Sequence, residues 1–294
     1  MDHQTPSPDT REHLVVIGNG MAGCRAVEEL IARDPTRYRV TIFGAEPHVN
    51  YNRIMLSPVL AGEKTFEQIV INDRSWYATN TIDLVTSDPV QAIDRAAKTV
   101  TARSGLAVSY DRLLIATGSD PFIIPVPGKD LPGVISFRDM ADVDHMLAAA
   151  GKGGAAVVIG GGLLGLEAAV GLARLGVDTT LIHVMDRVME RQLDHAAARL
   201  VRTAMEARGV KVMLSADTAA IEGDGRVERL RMKDGSVIPA DLVVMSVGIR
   251  ASTALAQSCG LACGRGITVD DRMTTSDPAI HALGECAEHR GVVY

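Results

Sequence analysis

Cysteine is scarce in this chain, with Cys24, Cys259, Cys263 and Cys286 the four present. Cys259 and Cys263 cannot by themselves fill the four positions of a zinc ion, and no second pair stands elsewhere, so no metal site is expected and reduced thiols are. The same lack leaves no cluster with the spacing of an iron–sulfur centre. Positive charge is short as well: 30 basic against 36 acidic residues give −6, which argues against a nucleic-acid surface or an anionic membrane face. Glycine or charge interrupts every apolar run before the roughly 20 residues of a membrane helix. No cleavable leader precedes Leu14, and the polar start from Met1 to His13 is expected to be frayed. A soluble, cytoplasmic protein without nucleic-acid or membrane partners is the expectation.

Glycine, by contrast, is plentiful at 28 residues among 294, and its placement organises the chain. The length suits two nucleotide-sized α/β units. Leu14–Ile17 reads as a buried strand, Met21–Arg33 as a helix and Tyr38–Phe43 as a second strand, which is a βαβ opening. Short strands follow at Ile82–Val85, Val90–Ile93, Thr99–Ala102 and Arg112–Ile115. Pro121 to Pro132 holds four prolines and reads as a linker. Beyond it the pattern restarts: strand Ala155–Ile159, helix Leu163–Arg174, strand Asp178–His183, then strands near Lys211–Leu214, Val227–Met232 and Leu242–Val247. The last stretch, Ile267–Tyr294, has no following domain of its own and is expected to return to the first unit. The domains expected are 1–122 with 252–294, and 123–251.

Each βαβ unit carries a glycine loop between strand and helix. The first is Gly18-Asn19-Gly20-Met21-Ala22-Gly23, the second Gly160-Gly161-Gly162-Leu163-Leu164-Gly165. A dinucleotide pyrophosphate needs this pattern: the first glycine for the tight turn, the second for close backbone approach, the third for helix–strand packing. Free amides and the positive end of the helix dipole then face the phosphates. One such loop is a weak signal, but both follow Val-Val-Ile and both open a helix, so two dinucleotides are expected.

Glycines do not say which nucleotide binds where. Leu113-Leu114-Ile115-Ala116-Thr117-Gly118-Ser119 resembles the second flavin fingerprint of the two-dinucleotide-domain flavoproteins, the ferredoxin reductase and NADH oxidase group. Thr274 through Ala287, with Gly284-Glu285 near its end, resembles that group's third fingerprint. Tyr51-Asn52-Arg53, Met189-Glu190-Arg191-Gln192-Leu193-Asp194 and Gly284 through Gly291 look like the amino-terminal flavoprotein part of the NAD(P)H nitrite reductase large subunit. The resemblance runs from Leu14 to the end.

It implies an α/β protein of two Rossmann-like three-layer dinucleotide-binding domains in a glutathione-reductase-like arrangement, without the carboxy-terminal interface domain. FAD would lie on the first loop (Gly18, Gly20, Met21, Ala22, Gly23) with Ala116, Thr117 and Gly118, and Glu285 would hold the ribityl hydroxyl. NADH or NADPH would lie on the second loop (Gly160, Gly162, Leu163, Leu164, Gly165), with Gly248 nearby. Val90 looks like the residue whose backbone meets adenine. Glu167 matches a glutamate near nicotinamide and flavin, or is an ordinary acid of a helix's first turn. Arg53 would steady negative charge on the flavin or its phosphates, or is a surface ion-pair partner. The implied chemistry is hydride transfer from NAD(P)H to FAD as the input half of an assimilatory nitrite reductase. Iron–sulfur and sirohaem centres would belong to other parts of a longer protein, of which this chain is expected to be a fragment. Alternatives are a free-standing ferredoxin or rubredoxin reductase passing electrons to a small carrier protein, and a non-catalytic FAD/NAD-binding sensor; a homodimer is allowed.

Departures from the group's pattern matter. Gly44 stands where an acid normally meets the FAD ribose, leaving Glu46 as the candidate. Pro58 replaces the lysine that follows the serine of the flavin-side segment, and Asn50–Leu60 lacks the redox cysteine of peroxide- and disulfide-reducing relatives. In the second unit His183 replaces the acid of an NAD ribose site, with Arg187 four residues on, so both nicotinamide cofactors stay open and Arg187 could assist NADPH. Cys24 reads as a small packing residue, and His195, His281 and His289 lack triad partners.

Overall fold

The computed structural model describes residues 10–293, so most of the polar start lies outside it. Within the described part Glu12 and His13 already belong to the first strand, Glu12–Ile17, rather than to a frayed end. Their backbone pairs in parallel with Tyr38 and Arg39, which extends the ladder two residues beyond the apolar run. Among the described residues no helix is long and apolar enough to cross a membrane.

Two compact units form. The first comprises the chain up to Asn52, Val70–Ser119 and the chain from Arg250; the second comprises Arg53–Ile69 and Asp120–Ile249. Arg53–Ile69, which the sequence boundaries put with the first unit, thus clusters with the second. The reason is local packing: a Cβ at Gly171, in the helix Leu163–Arg174, would stand 2.8 Å from the Leu60 side chain. Only glycine lets the short helix Leu56–Leu60 lie this close.

The first unit is built on a five-stranded parallel sheet in the order Ile280–Ala282, Arg112–Ile115, Glu12–Ile17, Tyr38–Phe43, Ile82–Val85. The stretches Leu14–Ile17 and Leu113–Ile115 of its central strands are apolar and buried because both faces are covered. Val15, Ile17, Leu113 and Ile115 face Ile93 and Val100 of the antiparallel sheet Val90–Asp94, Thr99–Ala102, Ala107–Ser109. Val16, Ile42 and Leu114 face Cys24 and Val27 of the helix Met21–Arg33. The return of the chain's end is seen in Ile280–Ala282, an edge strand in register with Leu113–Ile115.

The second unit repeats the scheme: Lys211–Met213, Asp178–Ile182, Ala155–Ile159, Leu242–Met245, Val134–Ser136, all parallel. A three-stranded antiparallel sheet, Thr218–Glu222, Arg229–Met232 and Val237–Pro239, covers one face. Both units are therefore three-layered and Rossmann-like. The proline-rich stretch is not a free linker, because Ile123, Ile124, Val126 and Leu131 pack into this core and Pro127 O accepts from Ile221 N–H at 2.9 Å.

Candidate functional site

In the first unit the fold constrains two of the loop's three glycines. Gly18 has φ +118, and a Cβ there would lie 2.2 Å from Ala116 O; a Cβ at Gly23 would lie 2.6 Å from Gly18 O. Both are places where the fold itself demands glycine. Gly20 differs: its φ is −89 and ψ 179, and a Cβ would meet nothing within 4 Å. It caps the helix Met21–Arg33 without any side-chain hydrogen bond, and no acid occupies the first turn. A helix start with unspent amides and no carboxylate to compete fits a pyrophosphate.

Around this loop the tertiary fold gathers the distant fingerprints. Ala116, 8% exposed, carries the carbonyl that abuts Gly18. Thr117 Oγ1 donates to Ser252 O at 2.9 Å, and Gly118, at φ +70, accepts from Ser252 N–H at 2.9 Å. Ser119 Oγ donates to Glu285 Oε2 at 2.8 Å across 166 residues of sequence. Gly284, at φ +75, would bring a Cβ within 2.9 Å of the Ala22 methyl, so Glu285 sits beside the helix start with Met21 and Ala22. Ser119 is the partner that the sequence reading missed, although it closes the fingerprint it belongs to. Glu46, half-buried in the loop after Phe43, accepts from Tyr51 OH at 2.7 Å. Val90 packs on the core containing Phe43 and Ile115.

Asn19 and Cys24 brace the loop from behind. Asn19 Oδ1 accepts from Tyr77 OH at 2.7 Å and from Cys24 Sγ at 3.2 Å, and its Nδ2 donates to His48 O at 3.2 Å. Burial pushes the Cys24 thiol up to about 12 against a smaller opposing effect of the Tyr77 hydrogen bond, so this is a packed, hydrogen-bonded thiol and not a nucleophile. Cys259 and Cys263 are also free, and burial raises both.

The second unit has the same loop anatomy. Gly160, at φ +124, would place a Cβ 2.0 Å from Ser246 O, and Gly165 one 2.0 Å from Gly160 O. Gly162 is open, caps the helix Leu163–Arg174 with no side-chain bond, and has no acid in the following turn. Leu163 and Leu164 at that helix start are 58% and 39% exposed, apolar surface of the kind a bound nucleotide would cover. Gly248, at φ +113, accepts from Phe122 N–H at 2.9 Å.

Glu167 is tied to Ser57, whose Oγ donates to Oε2 at 2.5 Å. The serine supplies this hydrogen bond next to Pro58, the position where the group's lysine is missing. Arg53 falls in the second unit, its Nη1 donating to Arg138 O at 2.9 Å. His183 is buried, with Nδ1 accepting from Gly161 N–H at 3.1 Å and Nε2 3.0 Å from Glu190 Oε2. Arg187 does not present a free guanidinium: it donates to Leu193 O at 3.3 Å and Glu190 O at 3.3 Å and pairs with Asp186 at 3.2 Å.

Residues 12–293 match the family model described as pyridine nucleotide-disulphide oxidoreductase. The chain is 51% identical over 284 residues to the nitrite reductase (NAD(P)H) of Bacillus subtilis (strain 168), covering 97% of this chain and 35% of that protein. It is 46% identical over 284 residues to the assimilatory nitrate reductase electron transfer subunit of the same organism, covering 97% and 37%. The chain thus spans about a third of the length of these curated relatives. Among solved structures it is similar to the covalent putidaredoxin reductase–putidaredoxin complex, with TM-score 0.87 and 29% identity over 95% of this chain and 68% of that one.

Proposed function

The chain belongs to the pyridine nucleotide-disulphide oxidoreductase family, and we propose that its first unit holds FAD, its second NAD(P)H, and that it is the electron-input part of a longer nitrite-reducing protein. The observation that carries this reading is the pair of glycine loops, each opening a helix that no side chain caps, with an unobstructed second glycine. FAD, when bound, supplies the ring that takes up the hydride and its electron pair from the dihydronicotinamide.

The chain's own residues do the rest. In the first unit, Gly20 and the amides at Met21 and Ala22 receive the pyrophosphate, while Glu285, oriented by Ser119, takes a ribityl hydroxyl. Glu46 is the candidate for the adenosine ribose. In the second unit, Gly162, Leu163 and Leu164 receive the nicotinamide nucleotide's phosphates. Glu167, held by Ser57, accepts from the carboxamide and so sets the face of the nicotinamide. No general acid or base is needed, since a hydride moves and no proton must be abstracted. Arg53 serves as a fixed positive charge, with the Arg138 carbonyl orienting it.

Two long relatives carry nitrite reduction or nitrate-reductase electron transfer in their names. The acceptor proposed here is therefore a set of redox centres in the same longer chain. The putidaredoxin reductase likeness supports a second reading, in which the acceptor is a separate small carrier protein. Anaerobic mixing of the FAD-loaded protein with NADH or NADPH, following flavin absorbance, tests the input step. Rapid bleaching is expected; flavin that binds and stays oxidised with both would leave only a binding module.

A further inference from the structure

The end of the strand Asp178–Ile182 is where a dinucleotide-binding unit normally presents a carboxylate to the adenosine ribose, and here the residue is His183. This imidazole does not replace the carboxylate in function. Its Nδ1 accepts from Gly161 N–H inside the glycine loop, which leaves its proton on Nε2, directed at Glu190 Oε2 3.0 Å away. The ring fills the space beside Gly161 so closely that a Cβ there would lie 2.6 Å from it.

Glu190 is also brought to the loop by its backbone. Met189 adopts φ +52, an unusual conformation for a side-chain-bearing residue, and its N–H donates to Gly161 O at 2.8 Å. Two hydrogen-bond routes, one through Met189 and one through His183, therefore fix this carboxylate one imidazole's length from the second glycine loop. Burial works against its ionisation, yet its own backbone N–H, the His183 bond and the Arg191 charge outweigh that and hold it below the usual carboxylate range. Its side chain remains 24% exposed, so the carboxylate is open to a ligand. Val184 and Met185, 58% and 45% exposed, offer apolar surface just past His183 on which an adenine can lie.

We propose that Glu190, presented by His183, is the ribose-recognising carboxylate of the second unit, accepting from the adenosine 2′-hydroxyl of NADH and repelling the 2′-phosphate of NADPH. The proposal rests on the reading of the second loop as the nicotinamide nucleotide site. Arg187 does not counter it, because its guanidinium is engaged by the Leu193 and Glu190 carbonyls and by Asp186. Those bonds make Arg187 a brace for the segment that carries Glu190.

The test is equilibrium binding of NAD+ and NADP+ to the FAD-loaded protein and to Glu190→Gln, without turnover, with melting curves to confirm the fold. The wild-type protein is expected to prefer NAD+ by at least about tenfold, one factor of ten for each ~1.4 kcal/mol. Glu190→Gln keeps an acceptor for the His183 N–H but loses the charge, so NAD+ weakens, NADP+ strengthens, and the preference collapses. Adding His183→Glu to Glu190→Gln puts the acid back at the strand end and is expected to restore the preference. Equal affinities in the wild-type protein, or a parallel loss of both nucleotides in Glu190→Gln with the ratio unchanged, would overturn the assignment while leaving the nucleotide site in place. If neither nucleotide binds, the site reading falls and this assignment with it.

Discussion

Gly18 and Gly20 stand two residues apart in one loop, but the structure gives them different jobs, and alanine at each should separate folding from flavin binding. At Gly18 a methyl would overlap Ala116 O at 2.2 Å in a φ +118 backbone. That combines overpacking, typically about 1–3 kcal/mol, with a conformation unfavourable to L residues, so a loss of at least about 3 kcal/mol is expected. At Gly20 the backbone is extended and the methyl meets no protein atom within 4 Å. Alanine is a poorer helix cap than glycine by a few tenths of a kcal/mol, but it restricts the unfolded chain by a similar amount. The apo protein with Gly20→Ala should therefore melt within about 2 °C of wild type, whereas Gly18→Ala should lower the midpoint by roughly 6 °C or more, at about 2–4 °C per kcal/mol for a chain of this size. Flavin affinity should respond the other way round. The Gly20→Ala methyl occupies the space through which the pyrophosphate approaches the amides, costing roughly 2–3 kcal/mol, or about 30- to 150-fold in Kd. Apo melting curves and titration of flavin fluorescence give both numbers. If Gly20→Ala binds FAD as wild type does, or if its apo form melts as low as Gly18→Ala, the placement of the pyrophosphate over Gly20 is wrong.

The corresponding change in the second unit, Gly162→Ala, is expected to leave FAD affinity intact while weakening NAD(P)H by a similar factor, read by titrating each nucleotide separately. Ser119→Ala removes the hydroxyl that orients Glu285 and should weaken FAD by about 1–2 kcal/mol, visible as faster flavin loss on dilution; unchanged retention would remove Ser119 from the site. Ser57→Ala takes from Glu167 its 2.5 Å partner, and a net loss of about 1 kcal/mol is expected, together with slower flavin bleaching by NADH that Ser57→Thr recovers. Cys24 ionises near 9 when unfolded and only near about 12 in the native protein. The unfolded chain therefore gives up its proton first, and native stability should fall through that window by up to about 1.4 kcal/mol per pH unit from this residue. Denaturant melts at pH 9 and 10.5 compared with Cys24→Ala would show the slope difference, and identical slopes would contradict the buried-thiol assignment.

What could be read from the residues in order was whatever depends on neighbours along the chain. The helices Met21–Arg33 and Leu163–Arg174 and the strands Tyr38–Phe43 and Ala155–Ile159 have the bounds their apolar spacing suggests. Apolar runs ended by glycine leave few other choices, and a strand-to-helix turn is a local event. The edge strand Val134–Ser136 and the covering strand Thr218–Glu222 were not legible, because three or five residues become strands through their partners rather than through their own pattern. Likewise the proline-rich stretch looked like a linker because its prolines break regular structure, while its isoleucines and Leu131 were free to pack without any.

The candidate site divides along the same line. Sequence alone determined that glycine loops run from Gly18 to Gly23 and from Gly160 to Gly165, each between a strand and a helix, because glycines at fixed offsets after an apolar run are a local pattern. Only the tertiary structure decided which side chains those loops work with. Ser119 meets Glu285 across 166 residues and Ser57 meets Glu167 across 110. His183 meets Glu190 across 7 residues, alongside the reversed backbone of Met189, which hydrogen-bonds the glycine loop. A hydrogen bond is set by the position and direction of both groups in space, and for residues separated by turns and strands that information is created by packing.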